Sequence, residues 1–185
     1  MKKIMALFLA GMMILGSAGT VLAKEIHVMV NGRQVEFTDA KPFVDENGRT
    51  MVPLRPVADA MGIDVEWDRR TKTAVFSETY APGIEGFGYD IEGKQVYGRI
   101  VYMSLSFQIN EPKVEMFATV EKDNGEKTMI TDRFQMDTTA VVKDGRTYAP
   151  LRYMVQSFGY DVGWDKETKT VTVKNYRIQI GRAHV

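Results

Sequence analysis

The feature that most constrains this chain is a segment that occurs twice. The sequence GRTMVPLR begins at Gly48 and GRTYAPLR begins at Gly145, so equivalent residues lie 97 positions apart (145 − 48). The agreement continues at the same spacing through a glycine, a Val-x-Trp-Asp motif and the tripeptide Thr-Lys-Thr. Unrelated segments do not agree at one constant spacing over such a length. We therefore predict a structural unit that the fold uses twice.

Each copy predicts a strand, a short helix and two further strands. Pro53 or Pro150 suits the start of the helix, where its missing N–H costs nothing. Apolar residues recur at the spacing i, i+3, i+4 and i+7 of one helix face, and Gly62 or Gly159 follows as a C-cap. The apolar positions are Leu54, Val57, Ala58 and Met61 in the first copy and Leu151, Met154, Val155 and Phe158 in the second. Helices this short are marginal alone, so we expect the two units to pack across a common core.

Strand patterns also precede and separate the copies. Residues 24–38 alternate apolar and polar side chains around an Asn-Gly dipeptide, the strongest short hairpin signal. Between the copies, residues 80–93 are rich in glycine and predict an ordered loop, whereas residues 95–108 predict a long strand. Residues 114–134 predict a second hairpin, which adds to the sheet.

The N-terminus has the pattern of a secretory signal. It combines two lysines, an apolar run over residues 4–15 and a small-residue cleavage site at Ala23. The run is too short to cross a membrane comfortably, although an uncleaved anchor stays open as an alternative. We expect cleavage after Ala23 (signal peptide 1–23), secretion or display on a bacterial cell surface, and no transmembrane segment in the mature chain. Residues 180–185 back-translate to a common sequencing adapter, and we expect them to be non-native and the natural chain to continue.

Composition narrows the classes of function. The chain has no Cys, so its core must be held by packing without disulfides. Removal of Lys2 and Lys3 with the signal leaves 22 basic and 24 acidic residues, a formal charge of −2 (22 − 24). A near-neutral chain with scattered Lys and Arg gives no electrostatic basis for binding nucleic acid or an anionic membrane surface.

The repeated motifs resemble those of a known family. An opening Asn-Gly hairpin, GRT-x-VPLR, a short helix ending in Gly, V-x-WD and TKT are typical of the copper amine oxidase N-terminal-like domain, or stalk domain, of secreted bacterial proteins. This chain fits both rounds of the pattern, except that Ala149 replaces the Val before Pro150. The resemblance implies a twisted antiparallel sheet packed on the two short helices. The predicted fold is thus α+β, with two β-α-β-β half-repeats (24–76 and 135–175) and a β-hairpin insert (77–134).

The resemblance also implies a single non-catalytic module, residues 24–179, of the kind attached to cell-wall enzymes or other surface domains. The family name does not imply oxidase activity. A copper centre needs several imidazole ligands, whereas this chain has only His27 and His184. We therefore expect no catalytic residues, no metal site and no cofactor.

Four residues of the repeat offer possible binding chemistry. Arg55 and Arg152 open the helices and suit an anionic ligand. We favour a structural role for both, bonded to carbonyls or to the aspartate that follows each Trp. Trp67 and Trp164 could stack on a sugar, but each shares a strand face with a Val, which favours packing in the core.

Carboxylates also recur in pairs. Asp64 and Asp68 in the first copy correspond to Asp161 and Asp165 in the second. Glycoside hydrolysis uses two carboxylates across a cleft. At strand ends within a repeat, however, such residues are typical of turns and caps, and we favour that interpretation.

The best candidate contact surface lies in and beside the glycine-rich part of the insert. Aromatic side chains there have no packing role that the repeat explains, and binding residues often lie on loops. The candidate contact residues are Tyr80, Phe87, Tyr89, Tyr97 and Tyr102.

These observations favour a secreted, non-catalytic stalk or binding module that engages a cell-envelope component or a neighbouring protein domain. Two alternatives stay open. One is a cell-wall hydrolase whose active site lies in the insert or in sequence beyond this chain. The other is a self-associating surface protein that pairs free sheet edges.

Overall fold

The computed structural model describes residues 25–175, which contain thirteen strands and two short helices. The predicted signal and the predicted non-native tail lie outside the described residues. The elements are β1 (His27–Val30), β2 (Arg33–Gln34), β3 (Phe43–Val44), β4 (Thr50–Pro53), α1 (Leu54–Met61), β5 (Asp64–Asp68), β6 (Thr73–Tyr89), β7 (Gln95–Gln108), β8 (Lys113–Glu121), β9 (Lys127–Gln135), β10 (Val141–Lys143), β11 (Arg146–Pro150), α2 (Leu151–Ser157), β12 (Tyr160–Asp165) and β13 (Thr170–Asn175). Each copy of the repeat folds as strand, helix, strand, strand.

The two copies meet through β4 and β11. These strands pair antiparallel, with Val52 opposite Ala149. The two residues are equivalent in the repeat (52 + 97 = 149), so the pairing has a pseudo-two-fold axis at this residue pair. The strands β3 and β10 flank the pair, which gives a central sheet in the order β10-β11-β4-β3.

Proline determines which residues can exchange hydrogen bonds in this pairing. Tyr148 faces Pro53, and Pro150 faces Met51. Because proline has no N–H, neither of these pairs can exchange two hydrogen bonds. Hydrogen-bonded and non-hydrogen-bonded pairs alternate in an antiparallel ladder, so the central pair of Val52 and Ala149 must exchange both. The proline that precedes each helix therefore also limits the register between the copies.

Both helices pack their apolar faces into one shared core. All eight predicted apolar positions are buried, and they join one cluster with side chains from every sheet. Phe158 lies one residue beyond α2 and is fully buried all the same. Gly62 and Gly159, each with φ of 75°, adopt the left-handed conformation that ends a helix. The Tyr160 hydroxyl donates a 3.2 Å hydrogen bond to the carbonyl oxygen of Met61, which ties the second copy to α1.

The outer strands form two further sheets, in the orders β12-β13-β1-β2 and β5-β6-β7-β8-β9. The opening hairpin turns at Asn31 and Gly32 as predicted, although its return strand has only two residues. One pairing is parallel: β1 lies beside β13, with Val28 opposite Val171. The other strand pairings in the three sheets are antiparallel, as predicted. The sequence did not indicate the parallel pair, because alternation shows which face of a strand is buried and not which strand lies beside it.

The glycine-rich part of the insert is a strand and not the predicted loop. The strand β6 continues through it to Tyr89 and pairs with β7 along this length, with a register shift between Thr79 and Ile84. The strand β7 spans residues 95–108 as predicted, and β8 and β9 form the predicted second hairpin. The insert therefore extends the sheet that contains β5 and β6 of the first copy.

The glycines that predict a loop serve close packing instead. A Cβ atom at Gly86 would overlap the side chain of Ile100, and one at Gly88 would overlap that of Ile130 on β9. Glycine in a strand often marks such a close approach. The inner face of the β6–β7 hairpin is thereby packed against its own sheet, and the outer face is left to solvent.

Gly98 on β7 provides a test of this packing. A Cβ atom at Gly98 would overlap the backbone carbonyl oxygen of Glu121, whereas one at Gly86 would meet only side-chain atoms of Ile100. We expect Gly98→Ala to lower the free energy of unfolding by about 1–3 kcal/mol, the usual cost of overpacking. Gly86→Ala should cost less, because a side chain moves more easily than backbone. Urea unfolding measures both, and equal losses would contradict the close approach of β7 to β8.

Candidate binding surfaces

The outer face of the β6–β7 hairpin carries exposed aromatic side chains. Phe87 and Tyr97 lie opposite each other in the register, and their ring centroids are 5.7 Å apart. Tyr89 shares their face because side chains alternate along a strand. The exposed fraction is 59% for Phe87, 54% for Tyr89 and 63% for Tyr97. These three residues and Ile91 at the turn are called the hairpin patch.

The turn that joins β6 to β7 is preformed. The Asp90 side chain accepts hydrogen bonds from the backbone N–H groups of Glu92 (3.0 Å) and Lys94 (2.9 Å). Backbone hydrogen bonds within residues 90–94 close the same turn. Ile91 lies in this turn and is 83% exposed. A closed turn loses little conformational freedom on contact, so Ile91 is well placed to dock against a partner.

The structure separates the five predicted contact residues. Phe87, Tyr89 and Tyr97 come together in the hairpin patch. Tyr80 is buried in the main core and is not available to a partner. Tyr102 is partly exposed but lies five residues along β7 from Tyr97 (102 − 97), roughly 17 Å at the rise of a strand. It therefore lies apart from the hairpin patch.

Two grooves of similar composition are related by the pseudo-two-fold axis. The first groove has a volume of about 850 Å³ and the second about 350 Å³. Each combines the helix start and the Trp of one copy with the Gly-Arg-Thr segment of the other. The equivalent lining residues are Pro53, Leu54, Arg55, Val65, Trp67, Gly145, Arg146 and Thr147 in the first groove and Pro150, Leu151, Arg152, Val162, Trp164, Gly48, Arg49 and Thr50 in the second. Each groove is complete only when the two copies are joined.

The two tryptophans lie in these grooves and not in the core. Trp67 is 38% exposed and Trp164 is 49% exposed, so the prediction that both pack in the core is wrong. Val65 and Val162, two residues before them, are themselves only partly buried. Alternation identified a shared strand face, but it could not show that this face borders a groove.

The arginines at the helix starts are also exposed. In residues 25–175, the side chains of Arg55 and Arg152 form no hydrogen bond or ion pair with another residue. The predicted structural bonding is therefore absent from this part of the chain. Asp68 and Asp165, the expected partners, act in turns: each accepts the backbone N–H two residues ahead at 2.8 Å. This agrees with the interpretation of Asp68 and Asp165 as turn residues, whereas Asp64 and Asp161 lie in the strands β5 and β12.

Reciprocal ion pairs join the copies beside the grooves. Arg49 of the first copy donates from Nε to Oδ2 of Asp137 at 2.8 Å, and Arg146 of the second donates from Nε to Oδ2 of Asp39 at 2.9 Å. In both pairs the Nη2 group binds the same carboxylate. Sequence reasoning missed these pairs. The arginines recur at the repeat spacing, but the aspartates do not (39 + 97 = 136), so the repeat does not reveal them.

The ion pairs lower the pKa of both aspartates. The hydrogen bond from Arg49 holds the pKa of Asp137 at about 2, and the Tyr153 hydroxyl, which donates to Oδ1 at 3.0 Å, adds to the effect. The hydrogen bond from Arg146 lowers the pKa of Asp39. Both carboxylates are therefore charged at neutral pH, and both pairs are intact there.

The described part of the chain, residues 25–175, has no group of three His, Cys, Asp or Glu side chains placed to hold a metal ion. Neither α1 nor α2 has the length and apolar character that a membrane-spanning helix needs.

The low pKa of Asp137 predicts a dependence of stability on pH. Its folded pKa of about 2 lies below the usual 3.8, so the stabilisation is present above pH 3.8 and is lost as the pH falls towards 2. We expect the thermal midpoint to fall more between about pH 5 and about pH 2 in the wild type than in Asp137→Asn. Asp59→Asn, at a carboxylate without an ion pair in residues 25–175, should behave like the wild type. Equal slopes in the wild type and Asp137→Asn would contradict this account of the Arg49–Asp137 pair.

Two segments of the chain, residues 29–82 and 128–182, match a family model described as the copper amine oxidase N-terminal domain. They contain the two copies of the repeat and together cover more than half of the chain. Residues 83–127, which include the hairpin patch, lie between the matched segments.

A protein from Brevibacillus choshinensis named "Protease inhibitor" is 28% identical to this chain over 189 residues. The alignment covers 89% of this chain and 55% of that relative, so this chain spans about half the length of the relative. No solved structure gives a significant match.

Proposed function

This chain belongs to the copper amine oxidase N-terminal domain family, and we propose that it is a secreted, non-catalytic module that binds a protein partner at the bacterial cell envelope. The duplicated unit supplies the scaffold of the module, and the hairpin patch supplies the contact surface. Secretion is supported by the signal-like sequence of residues 1–23, which lie outside the described residues.

One observation carries this proposal: the hairpin patch exposes aromatic rings that the fold does not use for packing. The inner face of the same hairpin buries Val96 and Ile100, whereas Phe87 and Tyr97 lie on the solvent side. Apolar surface in water is unfavourable, and clustered exposure of this kind marks sites of interaction. Aromatic rings also give a large contact area at a small cost in side-chain entropy. A partner that covers the patch would gain the free energy of burying its apolar surface and would lose little side-chain entropy.

Two carboxylates of the insert lack the raised pKa that a catalytic acid needs. A hydrogen bond from Lys113 lowers the pKa of Glu115, and one from Lys122 lowers the pKa of Glu126. A glycosidase that protonates its leaving group needs a carboxyl group with a raised pKa. These two carboxylates are shifted in the opposite direction, so they give no support to a hydrolase whose active site lies in the insert.

A protease is the partner class with the most specific support. The relative named as a protease inhibitor aligns with most of this chain. The hairpin ends in a closed turn with Ile91 strongly exposed, and a protruding apolar side chain fits a concave, largely apolar cleft. In this form of the proposal, the tip of the hairpin occupies the cleft of a secreted protease and blocks access to it.

The first test removes the aromatic rings. We expect the double variant Phe87→Ser/Tyr97→Ser to bind isolated bacterial cell envelopes roughly tenfold or more weakly than the wild type, since aromatic anchors dominate most interfaces. Val142→Ser removes a comparably exposed apolar side chain from the central sheet and serves as the matched control. Co-sedimentation measures binding, and circular dichroism verifies the fold. Full binding by the double variant would contradict a role for the hairpin patch.

The second test concerns proteases. We expect the wild-type chain to inhibit at least one protease in a set of purified serine, cysteine and metalloproteases, and Ile91→Asp to lose that inhibition because a charge at the tip cannot enter an apolar cleft. Glu92→Gln, at the neighbouring position of the turn, should retain it. If the wild type inhibits none of these classes, the protease form of the proposal fails, while binding to envelopes through the patch stands or falls by the first test.

A further inference from the structure

We propose that the second groove, at Trp164, is a binding site for an acidic glycan and acts independently of the hairpin patch. One sugar ring would stack on the exposed indole face of Trp164. A carboxylate on the glycan would pair with the guanidinium of Arg152. Both side chains line the same groove, which α2, β12 and the Gly-Arg-Thr segment of the first copy enclose.

Trp164 and Arg152 supply two complementary parts of this recognition. The indole ring has a negative face, which attracts the C–H groups on the apolar face of a sugar ring. The guanidinium presents a planar fork of donors that can hold a carboxylate at two points. Arg152 is exposed and its guanidinium has no hydrogen-bond or ion-pair partner within residues 25–175, so binding would not break an existing pair in that range.

The two grooves differ in charge although their backbones are equivalent. The carboxylates of Asp39, Asp59 and Glu66 line the first groove and offset its arginines. In the second copy, Gln156 replaces Asp59 and Gly163 replaces Glu66, each 97 positions on. Among the described residues, no carboxylate lines the second groove.

The second groove therefore has a positive charge that nothing in its lining offsets. It contains Arg49 and Arg152. Arg49 is neutralised by its ion pair with Asp137, which leaves the charge of Arg152. This charge attracts an anion, whereas the arginines and carboxylates of the first groove balance one another and provide no such attraction.

The exposure of the indole favours a sugar over a peptide side chain. An apolar side chain of a peptide gains most from an enclosed pocket that removes it from water. Trp164 instead stays about half exposed and offers a flat face. A sugar ring can cover that face with its apolar side while its hydroxyl groups stay in water.

Calorimetric titration with oligogalacturonate, a carboxylate-bearing glycan, tests the proposal. We expect the wild type to bind oligogalacturonate. The methyl-esterified oligomer, which lacks the charges, should bind at least roughly tenfold more weakly. Poly-glutamate carries carboxylates without sugar rings and should bind as weakly as the ester. Equal affinity for the charged and esterified glycans, or for poly-glutamate and oligogalacturonate, would overturn the proposal.

Variants of the two grooves provide matched controls. Trp164→Ala and Arg152→Gln should each weaken the binding of oligogalacturonate by roughly ten- to a hundredfold. Trp67→Ala and Arg55→Gln, at the equivalent positions of the first groove, should leave the affinity unchanged. All four side chains are exposed, and thermal unfolding verifies that the variants fold. The proposal fails if Trp164→Ala binds like the wild type or if Trp67→Ala loses as much.

A variant that gains binding tests most directly whether charge decides which groove binds the glycan. The double variant Asp59→Asn/Glu66→Gln removes two carboxylates from the first groove without changing side-chain shape. If charge selects the groove, this variant should bind two oligomers per chain where the wild type binds one. Addition of Trp67→Ala should remove the second site again. A stoichiometry that stays at one would refute the argument from charge.

Discussion

The antiparallel pairing of β4 with β11 is the interaction on which the rest of the structure depends. It places the two copies face to face, so that α1 and α2 bury their apolar faces in one core. It brings Arg49 and Arg146 each within reach of an aspartate that precedes the other copy. Both grooves are also formed across this junction. The pairing is narrow, because prolines leave only one central pair of residues able to exchange both hydrogen bonds.

The scaffold is built from positions that are equivalent in the two copies. The proposed contact surfaces lie in the insert and at positions where the copies have different residues. Equivalent positions in the two copies build the helix faces, the left-handed glycines and the strands that pair at the axis. The hairpin patch lies in the insert between the two copies, outside the segments that match the family. The second groove differs from the first at the positions of Gln156 and Gly163. The duplicated unit thus forms the scaffold, whereas the hairpin patch and the second groove are the two proposed binding surfaces.

Local patterns in the sequence predict local structure well in this chain. The apolar helix positions, the glycine caps, the Asn-Gly turn and the strands β7, β8 and β9 all follow from period and turn chemistry. The exposure of Phe87 and Tyr97 also agrees with their prediction as surface residues, because the repeat leaves them without a packing role.

The wrong predictions share one cause. Each concerns residues whose neighbours in the fold are distant in the chain. Gly86 and Gly88 resemble loop residues until Ile100 and Ile130 are seen to occupy the space where a Cβ would lie. Trp67 shares a face with a Val, but that face borders a groove closed by the other copy. The parallel partner of β1 and the aspartate partners of the two arginines carry no local signal.

Native-state hydrogen exchange at the amides of Val52 and Ala149 tests most directly the central claim, that the two copies form one cooperative scaffold. The account predicts that both amides exchange only through global unfolding. They should therefore show the same free energy of opening, equal to the free energy of unfolding measured with denaturant. A free energy of opening well below the global value at either amide would show that the copies separate before they unfold, and it would contradict the account.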